Sequence, residues 1–217
     1  MLTVKVFTFN PVQENSYLLY NEAGECILID PGCYFPEESA ELSDFVNKQA
    51  LKPQLLLNTH CHFDHVFGNR FVNETWGLEP WIHPLEKPVL ERADQAAMRW
   101  QLPFENYQGP VHLLDESVSV KLGEDELQVI WMPGHSPGSV GFYHAGQQFI
   151  VGGDVLFRGS IGRTDLPGGD HETLIKSIQT KMYQLPPDTI VYPGHGPATR
   201  IFTEMKSNPF VKAAETD

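Results

Sequence analysis

Thr59-His60-Cys61-His62-Phe63-Asp64-His65 places three imidazoles and one carboxylate within positions 60–65. Imidazole nitrogen and carboxylate oxygen are the borderline and hard donors that suit divalent zinc, iron or manganese. Three more candidates follow in glycine-rich surroundings: His135 in Pro133-Gly134-His135-Ser136, Asp154 in Gly152-Gly153-Asp154, and His195 in Gly194-His195-Gly196. Seven donors, five His and two Asp, exceed what one tetrahedral ion can use. The pattern predicts a site for two metal ions.

Short apolar runs lead into these donors. Leu55-Leu56-Leu57 precedes His60, Val129-Ile130-Trp131-Met132 precedes His135, Phe149-Ile150-Val151 precedes Asp154, and Ile190-Val191-Tyr192 precedes His195. Such runs read as buried strands, so four strand ends offer ligands to one edge of packed sheets. Further strands are expected over 4–9, 16–20, 26–29, 80–83, 117–120 and 141–143. Helical spacing predicts helices over 37–50, about 64–76 and 172–185, the last ended by Pro186-Pro187. Residues 84–110 do not distinguish a lid from a packing element. Strand, helix and strand recur in both halves, which implies two βα units packed sheet on sheet with helices outside. No low-complexity linker interrupts the chain, so residues 1–217 read as a single domain.

Composition narrows the function. The net charge of −13 leaves no basic face to neutralise phosphates, which argues against a nucleic-acid partner. Residues 1–150 carry 8 Lys and Arg against 20 Asp and Glu, whereas residues 151–217 carry 7 against 8. An anionic small molecule is therefore expected over the C-terminal portion, near Arg158, Arg163, Lys181, Arg200 and Lys206. No window approaches the roughly 20 apolar residues of a membrane span, so no membrane role is expected. The opening residues read as a strand rather than a signal peptide. Three cysteines, an odd and sparse set, suit a reducing compartment, and the expected location is the cytoplasm.

The ordered set His60-x-His62-x-Asp64-His65, His135, Asp154 and His195 resembles the metallo-β-lactamase superfamily. Gly162-Arg163-Thr164-Asp165-Leu166-Pro167-Gly168-Gly169-Asp170 and Pro193-Gly194-His195-Gly196 are similar to its glyoxalase II-like thioester hydrolases. The resemblance implies an α+β fold, a four-layer αβ/βα sandwich of two mixed β-sheets flanked by helices. It implies two divalent ions, zinc foremost with iron or manganese as alternatives. His60, His62 and His135 would hold one ion and Asp64, His65 and His195 the other. Asp154 would bridge them, which makes Asp64 and Asp154 the catalytic carboxylates. The spacing agrees, because alternate residues of an extended loop can turn His60 and His62 toward one ion while His65 lies beyond the turn. The implied activity is that of a hydroxyacylglutathione hydrolase, which cleaves S-lactoylglutathione to lactate and glutathione by attack of a metal-bound hydroxide. Arg163, Asp165 and Arg200 are the candidate contacts to a small thioester substrate.

Two alternatives stay open. A mononuclear iron persulfide dioxygenase could use His60, His135 and Asp154, and a related hydrolase could act on another ester or lactone. Asp154 stands where zinc β-lactamases place Cys, and this argues against a β-lactam substrate. Only about twenty residues follow His195, as in the compact bacterial type, so glutathione is not fixed as the thiol carrier. Oligomeric state is not legible.

Among the remaining residues, His83 reads as a surface or capping residue, and His112 and His144 as structural, with no carboxylate partner in sequence. Asp170 reads as a helix N-cap ahead of His171. Cys61 should point away from the ligands, and Cys33 should be a small buried residue. Asp30 reads equally as a turn residue or as an acceptor that orients a ligand His. Arg163 and Asp165 read as a pair with each other or as supports for a ligand and the substrate.

Overall fold

Cys26-Ile27-Leu28-Ile29 is apolar at every position because both of its faces are covered. In the computed structural model, which describes residues 1–212, it forms most of a strand whose alternate side chains enter two different cores. Ile27 and Ile29 face a second sheet, whereas Cys26 and Leu28 face helices. The last five positions of the expected 1–217 domain lie outside the described residues.

The first half contributes β1 (Thr3–Phe9), β2 (Glu14–Tyr20), β3 (Glu25–Ile29), β4 (Lys52–Leu57), β5 (Pro80–Ile82) and β6 (His112–Leu113), which lie side by side in that order. The second half contributes β7 (Ser119–Leu122), β8 (Asp125–Trp131), β9 (Val140–His144), β10 (Phe149–Gly153), a small hairpin of β11 (Leu156–Phe157) and β12 (Ser160–Ile161), then β13 (Ile190–Pro193) and β14 (Thr199–Arg200). Its sheet runs β14-β13-β10-β9-β8-β7. Both sheets are mixed. In the first, β3, β4, β5 and β6 pair parallel; in the second, β10 and β13 do.

The helices are α1 (Pro36–Lys48), α2 (Phe63–Val66), α3 (Asn69–Trp76), α4 (Lys87–Leu90), α5 (Ala93–Arg99), α6 (His171–Thr180) and α7 (Ile201–Ser207). The inter-sheet core joins Leu19, Ile27, Ile29 and Leu57 to Leu127, Val129, Phe142 and Val151. Leu42 of α1 and Val72 of α3 cover the outer face of the first sheet, and Leu174 and Ile178 of α6 cover that of the second. The result is the expected αβ/βα sandwich. Truncating a fully buried side chain at its centre, such as Phe142→Ala, costs about 3–5 kcal/mol.

Several boundaries differ from the sequence expectation. The helix expected over 64–76 breaks at Gly68, whose N–H donates to the Pro31 carbonyl at 2.7 Å. A Cβ at position 68 would meet that carbonyl oxygen at 2.7 Å and crowd the Cys33 sulfur, so only glycine lets the 31–33 turn pack here. The helix expected over 172–185 ends at Thr180, and a 3₁₀ turn, Met182–Gln184, drops Met182 into the core before the prolines. The short pieces β6, β11, β12, β14 and α7 carry too few residues for a periodic signal and went unpredicted. The 84–110 segment is a packing element: Leu90, Ala93 and Ala97 bury against Phe63, Val66 and Phe67 around α2. Among the described residues, no helix is long and apolar enough to cross a membrane.

Candidate metal centre

Each donor sits where its strand runs out. β4 ends at Leu57 and leads through Asn58 and Thr59 to His60. β8 leads to His135, β10 to Asp154 and β13 to His195. His62, the residue at the N-cap position of α2, lies on extended backbone at φ −63° and ψ 150°. Asp64 and His65 then fall in the first turn of α2. The Asn58 side chain donates to the His65 carbonyl at 3.0 Å and closes this loop on itself. The loop reaches the second sheet through the Val140 N–H, which donates to the Thr59 carbonyl at 2.8 Å.

All seven predicted donors converge, in two groups. His135 Nε2 lies 2.8 Å from His62 Nδ1 and 3.2 Å from His60 Nε2. Asp64 Oδ2 lies 3.1 Å from His195 Nε2 and 3.7 Å from His65 Nε2. Asp154 stands between the groups, with Oδ2 3.5 Å from both His135 Nε2 and His195 Nε2 and Oδ1 3.4 Å from His65 Nε2. Donors about 2.0–2.1 Å from a tetrahedral ion are themselves separated by about 3.3 Å, so these spacings fit ions. Two atoms carry the same message. His65 Nε2 and Asp154 Oδ1 are buried with no hydrogen-bond partner in the protein, a costly arrangement unless something else satisfies them.

The far nitrogen of each key ring is engaged, which leaves the near one free to ligate. His135 Nδ1 donates to the Arg163 carbonyl at 2.7 Å, His195 Nδ1 to the Gln13 carbonyl at 3.2 Å, and His65 Nδ1 to Asp30 Oδ2 at 3.1 Å. Asp30, 1% exposed, also accepts from the Thr59 N–H at 2.7 Å and its hydroxyl at 2.5 Å. Asp30, His60 and His65 lie close enough to be read as a third ligand triad. The Asp30 oxygens are already committed to Thr59 and His65, so this residue orients a ligand. Gly194 completes the fit, since a Cβ there would meet His65 Cε1 at 2.7 Å and overlap the Asp154 carboxylate.

The charges follow from this crowding. Burial and the neighbouring imidazoles push His60 well below its ordinary pKa, and burial with His135 pushes His62 to about 3. Burial also holds His135 low. For His65, burial acts downward, but the Asp154 and Asp64 carboxylates outweigh it and hold the ring high. His195 is likewise raised against burial by its bond to Asp64 and by Asp154. Burial would lift Asp64 and Asp154, yet the charge on His65 keeps both carboxylates low. Burial and mutual repulsion thus favour neutral imidazoles in the first half, while the carboxylates of the second half favour added positive charge.

The substrate candidates are not all at the centre. Arg163 and Asp165 form a bidentate pair with each other at 2.7 and 2.8 Å on the surface, and the Arg163 carbonyl brings that pair to the rim beside His135. Arg200 does not reach the site. It pairs across from Ile190, at the end of β13 opposite His195, and its guanidinium donates to the Asp188 carbonyl at 2.9 Å. His112 and His144 do have carboxylate partners, Glu79 at 2.9 Å and Asp125 at 2.8 Å, which folding alone brings near. His83 caps the turn at Leu85, and Asp170 caps α6 through the Thr173 N–H. Cys61 and Cys33 are buried thiols, with burial pushing Cys33 up to about 12. Sequence reasoning missed Glu14 and Glu86, both fully buried here, because each sits in a polar stretch that reads as surface.

The sequence profile of the Metallo-beta-lactamase superfamily matches residues 9–195. This chain belongs to that superfamily. It is 38% identical to the Probable metallo-hydrolase YqgX of Bacillus subtilis (strain 168), over 93% of each chain. It is 34% identical to the Hydroxyacylglutathione hydrolase GloC of Haemophilus influenzae (strain ATCC 51907 / DSM 11121 / KW20 / Rd), over 98% of this chain and 99% of that one. Among solved structures, BLEG-1 B3 metallo-beta-lactamase superposes with a TM-score of 0.89 at 38% identity, covering 96% of this chain and 99% of that one. TTHA1623 in a di-iron-bound form superposes at 0.86 with 42% identity, covering 95% and 100%. The superfamily member described here is a metallo-hydrolase with His and Asp clusters suited to divalent metal.

Proposed function

We propose that this chain is a dinuclear metal-dependent hydrolase of a small thioester, of the hydroxyacylglutathione hydrolase kind. The observation that carries the reading is the position of Asp154, whose carboxylate lies 3.4–3.5 Å from donors of both triads. His60, His62 and His135 would hold one cation, Asp64, His65 and His195 the second, and Asp154 both. A pair of divalent cations, zinc foremost with iron or manganese in competition, would supply Lewis acidity and an activated water at neutral pH. The protein holds the imidazoles in the ligating tautomer through Asp30, Arg163 and Gln13, and keeps Asp64 and Asp154 ionised. Arg163 and Asp165 at the rim would meet the polar end of the substrate. The acidic surface supports a small molecule rather than a nucleic acid as partner, and three buried free cysteines are compatible with the cytoplasm.

The GloC relative supports a thioester. The similarity to BLEG-1 B3 metallo-beta-lactamase keeps β-lactams within the test. A mononuclear iron dioxygenase on His60, His135 and Asp154 would leave Asp64, His65 and His195 converged without a role, which favours two ions. The experiment is anaerobic metal quantification, then turnover of S-lactoylglutathione beside other acyl thioesters, a lactone and a β-lactam, with oxygen uptake on a persulfide. Two metals and thioester hydrolysis are expected. One iron with oxygen consumption, or two metals with no thioester turnover, would overturn the proposal.

A further inference from the structure

The carboxyl group of Glu86 is fully buried, and among the described residues no Lys, Arg or His pairs with it. It is satisfied by three donors instead. Its Oε2 accepts from the Cys61 N–H at 2.7 Å. Its Oε1 accepts from the Gly138 N–H at 2.7 Å and from the Ser136 hydroxyl. Cys61 lies between His60 and His62, and Ser136 directly follows His135. These loops leave β4 of the first sheet and β8 of the second, so a single carboxylate ties ligand loops across the sandwich. The approach is close: a Cβ on Gly138 would meet Glu86 Cγ and His83 Nδ1, each at 2.8 Å.

A fully buried carboxyl group with hydrogen bonds but no counter-ion is expensive to keep, so its contacts merit a functional explanation. The imidazoles of His60, His62 and His135 meet within 3.2 Å although they come from two sheets. Nothing in either loop alone sets that gap. We propose that Glu86 is a positioning residue that holds the 60–62 and 135–138 loops together and so builds the three-histidine half of the centre. The inference rests on the two-cation reading above. Other groups hold the second half, Asn10 at the Asp64 carbonyl, Asn58 and Asp30 at His65, and Gln13 at His195, so it should not depend on Glu86.

The test is titration of metal-free protein with Co²⁺, followed by d–d absorption, with His195→Ala assigning the bands to the two halves. Wild type should take up two ions per chain. Glu86→Gln keeps the shape and turns one acceptor into a donor facing the Cys61, Ser136 or Gly138 donors. It should weaken the three-histidine half about 10–100-fold and shift its band, leaving the other half within twofold. Ser136→Ala should give a smaller loss at the same half only. Uptake of fewer than two ions by wild type overturns the two-cation reading and this inference with it. Two ions in wild type, with unchanged affinity and spectrum in Glu86→Gln, overturns the positioning role alone. Equal weakening of both halves also overturns it, since that marks a general packing defect. If Glu86→Gln does not fold, Ser136→Ala decides, and wild-type affinity at the three-histidine half refutes the assignment.

Discussion

His65 and Asp30 face each other at 3.1 Å in the interior, an imidazole Nδ1 against a carboxylate Oδ2 that also grips Thr59. Asp30 reaches this position from left-handed backbone at φ 50°, which asparagine tolerates as well. Asp30→Asn therefore keeps the turn and removes the charge behind His65. Metal affinity should fall about 10–100-fold at the half containing His65. Competition against a chromogenic chelator measures it, and an affinity within twofold of wild type would reduce Asp30 to a turn residue.

Asp154→Ala removes the carboxylate that lies 3.4–3.5 Å from donors of both triads. Bound metal should drop from two ions per chain toward one, and kcat by about 10²–10³-fold, the scale of losing a principal electrostatic stabiliser. A variant with two ions and near-normal kcat would show that Asp154 does not bridge.

Chelation should destabilise the protein, because carboxylates and imidazoles packed to suit cations are left unsatisfied. Each ion at a hundredfold excess over its Kd stabilises by about 2.7 kcal/mol. For a chain of this size, 1 kcal/mol moves Tm by about 2–4 °C, so removing one ion should lower Tm by about 5–10 °C. Differential scanning with and without a chelator reads this directly, and coincident melts would contradict it.

Charge reversal should separate two arginines that composition grouped together. Arg163→Glu, beside His135, should raise KM for an anionic thioester about fivefold, equivalent to about 1 kcal/mol for an exposed ionic contact, with kcat little changed. Arg200→Glu, at the opposite end of β13, should leave KM within twofold. Equal effects from both would mean that long-range charge, not rim contact, governs binding.

Stability should fall on the alkaline side. Burial raises the Cys26 and Cys33 thiols to about 12, whereas an unfolded thiol titrates near 8.5. The folded chain thus keeps protons that the unfolded chain loses. The stabilisation is complete below about pH 8.5 and drains away as pH rises toward 12, by at most about 1.4 kcal/mol per pH unit per thiol. Urea unfolding between pH 8 and 11 should show a shallower decline in the Cys26→Ala, Cys33→Ala double variant. Parallel slopes would argue against buried thiols as the cause.

The seven donors were legible in the sequence because ligand chemistry restricts residue type and because each motif follows an apolar run that must be a strand. The same alternation that buries Ile27 inward and Leu28 outward made the layered sandwich legible. Asp30 was visible but ambiguous, since an Asp-Pro-Gly turn looks the same whether or not the carboxylate faces a histidine. Glu86 was invisible: an acid after Pro84-Leu85 has the local signature of a solvated helix start, and its three donors come from positions 61, 136 and 138. His112 and His144 were read as structural, but their partners Glu79 and Asp125, 33 and 19 residues away, were not legible for the same reason.

What the sequence determined by itself is the donor inventory and the strand ends that carry it, since hydrophobic periodicity and ligand type are local properties of the chain. Which nitrogen of each ring faces inward, which carboxylate stands behind it, and which arginine reaches the rim were decided only in the tertiary structure. Those relations are between residues far apart in sequence, and only the packing of one sheet on the other sets their distances.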